Sequence, residues 1–252
     1  MDYKKLKRIW QREEQMSFKG WDFSYLENRW ESDMLPWDYS YIVKEYLKPH
    51  LKLLDIGTGG GEFLLTLCHP YANTSVTEAY EPNVNLCMER LKPLGIDVRQ
   101  VYEDNRMPFK DNSFDIVINR HASFDIKEIK RILRADGVFV TQQVGGKNNE
   151  MLSNKLIKKY ESPYKKFTLE NTSKQFEEND FELIYENEYY PSLRFYDIGA
   201  VVYFAKIIQW EFPGFTVETN FNELCELQDE LIKKGYIESF EHRFIVVAKL
   251  KN

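Results

Sequence analysis

A doubly wound α/β fold built on a mostly parallel sheet is predicted for this 252-residue chain. Three observations predict it. Between residues 51 and 144, short apolar runs alternate with helical patterns, as strands joined by right-handed crossover helices do. One run, Phe114–Asn119, is apolar enough to be covered on both faces, which is the condition of a strand inside a parallel sheet. The first run leads straight into Gly57, Gly59, Gly60 and Gly61, at the strand end where such sheets bind ligands.

In chain order, residues 1–17 read as a charged helix carrying Leu6, Ile9 and Trp10. Residues 18–37 are irregular and aromatic, with Phe18, Trp21, Phe23, Tyr25, Trp30 and Trp37. A helix over Tyr39–Leu47 is stopped by Pro49. Leu51–Ile56 is the first strand of the central block, and a helix follows from Glu62 to Cys68. Ser75–Ala79 is the second strand, Asn83–Lys92 a helix, Asp97–Tyr102 the third strand and Phe114–Asn119 the fourth. Asp125–Leu133 repeats Ile126, Ile129 and Leu133 at helical spacing. Asp136-Gly137 is a turn into the fifth strand, Val138–Val144.

Beyond residue 145 the pattern weakens. Phe181–Glu188 is a sixth strand, and Asp197–Gln209 is a helix with Ile198, Val201, Val202, Ala205 and Ile208 on one face. Phe221–Lys234 is a helix ended by Gly235, and Phe240–Leu250 is the final strand. The expected organisation is an N-terminal helical cap over residues 1–48 and a main domain over residues 49–252. A cap insertion is expected at about residues 190–236.

With 43% hydrophobic residues the chain can bury a large core. Its net charge of −6 argues against a general nucleic-acid binder. Lys155, Lys158, Lys159, Lys165 and Lys166 form a local basic stretch, which suits RNA phosphates or, more simply, a solvated face. Cys68, Cys87 and Cys225 lie far apart, in neither a disulfide framework nor a zinc pattern. The N-terminal segment is charged, with no apolar signal core and no long apolar run anywhere. A reduced cytoplasmic protein without a membrane span or a metal site is expected.

The glycine-rich segment reads Leu53-Leu54-Asp55-Ile56-Gly57-Thr58-Gly59-Gly60-Gly61-Glu62-Phe63. Its glycines allow a tight turn and close approach of a ligand. The dinucleotide fingerprint requires a third glycine or alanine where this chain has Glu62. Asp55 would also repel a pyrophosphate. S-adenosylmethionine carries a sulfonium and an ammonium against one carboxylate, and a nearby carboxylate attracts it. Glu78, at the end of the second strand, is placed to accept hydrogen bonds from ribose hydroxyls, with Glu81 as its rival. Tyr102-Glu103-Asp104-Asn105-Arg106-Met107, after the third strand, either meets the adenine amino group with Met107 beside the ring, or is an ordinary loop.

These residues resemble the class I, Rossmann-like methyltransferases of the type 11 group. The resemblance rests on Leu-Leu-Asp-Ile-Gly-Thr-Gly-Gly-Gly-Glu from Leu53, the second-strand acid, Met-Pro-Phe-Lys-Asp-Asn-Ser-Phe-Asp-Ile-Val from Met107, and Ile-Lys-Arg-Ile-Leu-Arg-Ala-Asp-Gly-Val-Phe-Val from Ile129. It covers somewhat over a third of the chain. It implies a seven-stranded sheet whose last strand is antiparallel. It also implies S-adenosyl-L-methionine as cofactor, S-adenosyl-L-homocysteine as product, and Asp55, Gly57, Gly59, Glu78 and Asp104 as cofactor contacts. Thr58, Gly61, Ala79, Glu103 and Asn119 complete the expected cofactor set. The second strand departs from the family pattern in reading Thr77-Glu78-Ala79-Tyr80-Glu81-Pro82, which leaves Glu78 and Glu81 both open.

Methyl transfer from a sulfonium depends on positioning, and needs a base only when the acceptor is protonated. After the fourth strand comes Asn119-Arg120-His121-Ala122-Ser123-Phe124, which lacks the patterns of amino-nitrogen and cytosine-C5 enzymes. His121 is the candidate general base, or a histidine bonded within its loop. Arg120 binds an anionic acceptor or caps a carboxylate. Gln143, in the amide-rich Gln142–Asn149 segment, and the aromatic Trp37 and Tyr39 are candidate acceptor contacts. The N-terminal segment and residues 190–215, with Tyr189, Tyr190 and Trp210, are expected to roof the acceptor. A small molecule is the expected acceptor, with RNA or protein second. A non-catalytic cofactor binder and a nicotinamide oxidoreductase are the readings from other classes.

Overall fold

The computed structural model describes residues 2–18 and 23–251, so Trp21 lies outside the described residues. In chain order the elements are α1 (Tyr3–Glu14), β1 (Trp30–Ser32), α2 (Tyr39–Tyr46), β2 (Leu53–Ile56), α3 (Glu62–Thr66), β3 (Thr74–Glu78), α4 (Glu81–Arg90) and β4 (Asp97–Gln100). There follow β5 (Phe114–Arg120), α5 (Ile126–Ile132), β6 (Leu133–Val144), α6 (Glu150–Leu156), α7 (Leu169–Glu178) and β7 (Phe181–Tyr189). The chain closes with β8 (Ser192–Phe195), α8 (Ile198–Ile207), α9 (Phe221–Lys234), β9 (Ile237–Phe240) and β10 (Arg243–Leu250). It divides into two compact units, one of residues 36–144, 167–188 and 243–252, the other of residues 1–35, 145–166 and 189–242.

The first of these units holds a seven-stranded sheet in the order β4-β3-β2-β5-β6-β10-β7. The pairs from β4 across to β6 are parallel, and β10 runs antiparallel to β6. The mostly parallel Rossmann-like sheet and its antiparallel last strand are as the sequence predicts. Strand pleating sends neighbouring residues to opposite faces, so Leu53 joins one apolar layer and Leu54 the other. One layer packs Leu54, Val117, Phe139 and Val246 against Ile129 and Phe176. The other packs Leu53, Val76, Ile118 and Ile245 against Val43, Leu64 and Leu91. Side-chain caps start three helices here, Asp38 accepting from Tyr41 N at 3.1 Å, Asp125 from Glu128 N at 2.8 Å and Thr168 from Asn171 N at 3.3 Å.

Within that unit a largely buried ion pair anchors the segment after β4. The Glu128 carboxylate accepts from Arg131 Nη2 at 2.6 Å, from Arg131 Nε at 2.8 Å and from Met107 N at 2.6 Å. Arg131 also reaches the carbonyls of Met107 and Phe109. The Arg131 guanidinium, outweighing burial, holds the Glu128 carboxyl below the usual range. A depressed acid stabilises the fold above its unfolded pKa and loses that contribution as pH falls through the folded value. Glu128→Ala leaves Met107 N unpaired and is expected to cost about 3 kcal/mol. That corresponds to a melting point lower by roughly 6–12 °C at neutral pH, with a smaller gap in acid. An unchanged melting point at neutral pH would refute the anchoring role.

The second unit carries an antiparallel three-stranded sheet, β1-β8-β9. Its core gathers Trp10, Leu26, Phe195, Val201, Phe204, Phe212 and Leu224. Arg29 bridges two carboxylates, donating to Asp197 at 2.7 and 2.9 Å and to Glu13 at 3.1 and 3.2 Å. Asp197 in turn caps α8 by accepting from Ala200 N at 2.8 Å. The basic stretch is partly neutralised, since Lys155 pairs with Glu230 at 2.8 Å and Lys158 with Glu223 at 3.4 Å.

Several boundaries differ from the sequence reading. Residues 30–32, within the expected irregular segment, form β1, because they pair with β8 far along the chain. The expected final strand from Phe240 is two elements: β9 ends at Phe240 and β10 begins at Arg243, in different sheets. β6 starts at Leu133, with Asp136 in the left-handed region at φ +62° and a register shift opposite Phe114/Ile116. A bulge of this kind absorbs the Asp-Gly turn into one strand.

Candidate functional site

The carboxyl ends of β2, β3 and β5 converge on the glycine loop. Gly57 N and Thr58 N both donate to Thr77 O, at 3.0 and 3.2 Å, which binds the loop to the end of β3. Gly57 sits at φ +68°, and a Cβ built there would collide with Ala122 Cβ in the segment after β5. Gly59 is left-handed too, at φ +63°, but a Cβ there meets nothing within 4 Å. The surface of the loop at Gly59 is therefore bare backbone facing open space. Gly61, at φ +81°, stands at the N-terminus of α3 and packs against Leu91.

Asp55, in β2, is only 5% exposed. Its Oδ2 accepts from the Thr58 hydroxyl at 2.7 Å. Burial pushes its carboxyl up to about 7; the Thr58 bond and the charge of Arg120 oppose the rise, and Glu78 adds to it. Such a carboxylate lacks an adequate counter-charge inside the protein. A cation arriving at the loop would supply one, so bare backbone at Gly59 and an under-compensated acid at Asp55 both fit a compact cationic ligand.

Glu78 ends β3 and is mostly buried. Its Oε2 accepts from Gly59 N at 2.8 Å, and its Oε1 from Ala79 N and Tyr80 N at 2.9 and 3.1 Å. It thus props the loop from below. Glu81 lies in the exposed first turn of α4, outside this arrangement. Glu103 and Asp104 are exposed, in a shallow recess of about 540 Å³ shared with Tyr102, Asn105, Phe124 and Asp125. Met107 is buried in the core and is not at a ligand surface.

The residues after β5 fall into two groups. Asn119 is fully buried, and its Oδ1 accepts from Gln143 Nε2 at 2.6 Å and Thr141 Oγ1 at 3.2 Å. Gln143 Nε2 also reaches Ala122 O at 3.0 Å, so Gln143 is committed to the interior. Tyr39 is buried as well, with its hydroxyl donating to Asn119 O at 3.1 Å. Arg120 and His121 are exposed. The Arg120 guanidinium lies 4.3 Å from the centre of the Phe63 ring, a cation–π contact.

His121 is left-handed at φ +65° and its N donates to Gln142 O at 2.8 Å. Its Nε2 lies 3.0 Å from Gln142 Nε2, and Gln142 Oε1 accepts from Trp37 Nε1 at 2.8 Å. Although an edge meets solvent, the ring is crowded by protein; that desolvation, then the charges of Arg243 and Arg120, lowers its pKa. Gln142 is the amide that joins Trp37 to His121, where sequence reasoning singled out its neighbour Gln143. Strand alternation puts the two on opposite faces, but nothing in the sequence says which face meets Trp37.

Comparison with known proteins adds three findings. Residues 54–141 match the family model described as a methyltransferase domain. Over 88 residues the chain is 32% identical to the phthiotriol/phenolphthiotriol dimycocerosates methyltransferase of Mycobacterium tuberculosis, covering 32% of each chain. The chain thus spans about a third of the length of that curated relative. Among solved structures, the YcgJ protein of Bacillus subtilis superposes with a TM-score of 0.56 at 17% identity, over 85% of this chain and 98% of that one. The [4+2]-cyclase SpnF superposes with a TM-score of 0.51 at 14% identity, over 84% of this chain and 79% of that one. The likeness to both is one of fold.

Proposed function

We propose, because residues 54–141 match the model of a methyltransferase domain, that this chain is a class I methyltransferase of the type 11 group and transfers a methyl group from S-adenosylmethionine to a small molecule. The observation that carries the reading is the pairing of a buried, under-compensated Asp55 with the open backbone at Gly59. When bound, the cofactor supplies an electrophilic methyl group on a sulfonium. Asp55, oriented by the Thr58 hydroxyl, provides the negative side of its site; Gly59 gives it room, and Gly57 and Gly61 set the turn of the loop around it. Glu78 and Ala79 meet the ribose, with Glu78 preferred to Glu81 for its buried place beneath the loop. Glu103 and Asp104 meet the adenine from their recess. Asn119 acts one step back, by holding the end of β5 against Thr141 and Gln143.

On the acceptor side Arg120 is the charged contact and Trp37 reaches the site through Gln142. Tyr39 and Gln143, whose polar atoms are bonded within the interior, position β5 and the segment after it. The net charge of −6 and the paired lysines of the basic stretch favour a small acceptor over RNA. Unpaired Cys68, Cys87 and Cys225 support a reducing, cytoplasmic setting. No helix among the described residues is long and apolar enough to cross a membrane.

Calorimetry with S-adenosylmethionine, S-adenosylhomocysteine and NADH tests the cofactor. Both sulfur ligands are expected to bind with NADH silent. Binding of NADH alone would overturn the reading. A labelled-methyl screen against cell metabolites, with RNA and protein fractions alongside, then identifies the acceptor.

A further inference from the structure

We propose that Trp37 and Gln142 lock His121 as a neutral imidazole protonated on Nδ1, so that His121 serves the acceptor as a hydrogen-bond donor and not as a general base. This rests on the methyltransferase reading for its purpose, but the lock itself follows from donor and acceptor chemistry.

An indole N–H only donates. The Gln142 atom that Trp37 Nε1 meets at 2.8 Å is therefore the amide oxygen, and the other end of the amide is the NH₂ group. That group only donates as well. The His121 Nε2 that it meets at 3.0 Å must accept through its ring lone pair. A neutral imidazole with Nε2 as acceptor carries its proton on Nδ1. Adding a proton at Nε2 would set two donors against each other, and the amide cannot turn over to relieve this without opposing its oxygen's replacement to the indole N–H.

The backbone holds the ring in this place. His121 occupies the left-handed region, which non-glycine residues seldom adopt, and its own N–H is tied to Gln142 O at 2.8 Å. The same strand position thus grips His121 by main chain and side chain. Arg120 and Arg243 are the charged groups acting on the ring, and both oppose a second positive charge there. Nδ1 has no protein partner among the described residues, and Ala122, the next residue, abuts Gly57 of the cofactor loop.

An N–H donor beside the Arg120 guanidinium, with the ring's one lone pair already taken by Gln142, suits an acceptor that arrives as an oxyanion, such as a carboxylate or phenolate. Transfer to that oxygen forms an O–C bond with the acceptor's own lone pair and breaks the C–S bond, whose pair returns to sulfur. No proton is released, so none need be removed. An ammonium acceptor would need both a base and a site of the opposite charge.

Long-range proton–nitrogen correlation spectra of the full chain, with His121 identified against the His121→Gln variant, read the tautomer directly. The wild type is expected to show the Nδ1–H form, with no titration across the range where an ordinary histidine, pKa about 6.5, changes charge. Trp37→Phe frees the amide to turn, and Gln142→Glu offers Nε2 a carboxylate; both are expected to restore titration, the second with a raised pKa. A wild-type His121 in the Nε2–H form, or one that titrates normally, overturns the lock.

With S-adenosylhomocysteine bound, millimolar propionate is expected to move the His121 resonances and propylammonium to leave them in place. Equal responses, or none to propionate, overturn the acceptor class. Affinity of the wild type for S-adenosylhomocysteine is measured separately. A protein that binds it while His121 titrates normally loses the lock alone, and one that fails to bind it loses the methyltransferase reading whatever the tautomer.

Discussion

Gly57→Val is expected to weaken S-adenosylmethionine binding by at least about tenfold and to destabilise the fold as well, whereas Gly59→Ala should weaken binding with little loss of stability. The two glycines share a left-handed backbone but differ in surroundings. At Gly57 a side chain meets Ala122, so the loop or the segment after β5 must move. A β-branched residue adds strain at φ +68°. Overpacking costs about 1–3 kcal/mol and the backbone conformation a similar amount, so a melting-point loss is expected together with the lost affinity. At Gly59 the added methyl meets no protein atom within 4 Å. Its cost to folding is the left-handed penalty of about 1 kcal/mol, and the rest of its effect falls on whatever occupies the open space. Calorimetry and thermal melts on both variants separate fold from ligand. Gly59→Ala with wild-type affinity would show that the cofactor does not lie over the loop.

The part of the site written in one stretch of chain was legible in the sequence. Leu53 to Glu62 gives a strand, a tight turn and a helix start by local rules alone, and the left-handed angles at Gly57, Gly59 and Gly61 are what those glycines are for. The helix Phe221–Lys234 and its stop at Gly235 were equally local. What could not be read depends on pairing between distant segments. β1, β8 and β9 have only three or four residues each and become strands by pairing with one another, β1 with β8 across more than 150 residues of chain and β8 with β9 across more than 40. Too few side chains alternate in runs that short to mark a period. The helices Glu150–Leu156 and Leu169–Glu178 were also missed, the first lacking a side-chain cap. The Trp37–Gln142–His121 contact is set by the β5–β6 register, which pairs Arg120 with Gln142. A shift of one residue would have presented Gln143 instead. Tyr39 looked like a ligand residue for its position before the core, yet its hydroxyl was needed to satisfy the carbonyl of Asn119.

Asp55 gives the cofactor site a pH dependence whose direction can be worked out. In the free protein its carboxyl titrates at about 7, because burial outweighs the Thr58 bond and the Arg120 charge. Unfolded, it would titrate near the ordinary aspartate value of about 3.9. An acid raised in this way favours the fold fully below the unfolded value, and that contribution is lost as pH rises through the folded one. The free protein should therefore lose stability between about pH 4 and about pH 7 on account of this residue. Binding runs the other way. A cationic ligand needs the carboxylate ionised, so below the folded pKa it must first displace a proton. From about pH 8 to about pH 6 the affinity for S-adenosylmethionine should then fall by about tenfold. Asp55→Asn removes both effects, since an amide carries no charge to desolvate and none to offer. The variant should bind at least about tenfold more weakly than wild type at pH 8. Its affinity should change less between those pH values, and its ligand-free melting point at alkaline pH should exceed that of wild type. The cofactor's own amino group titrates in both proteins, so the difference between their pH profiles isolates Asp55. Parallel profiles, with equal melting points above neutrality, would mean that this carboxylate neither bears the burial cost nor meets the donor's positive charge.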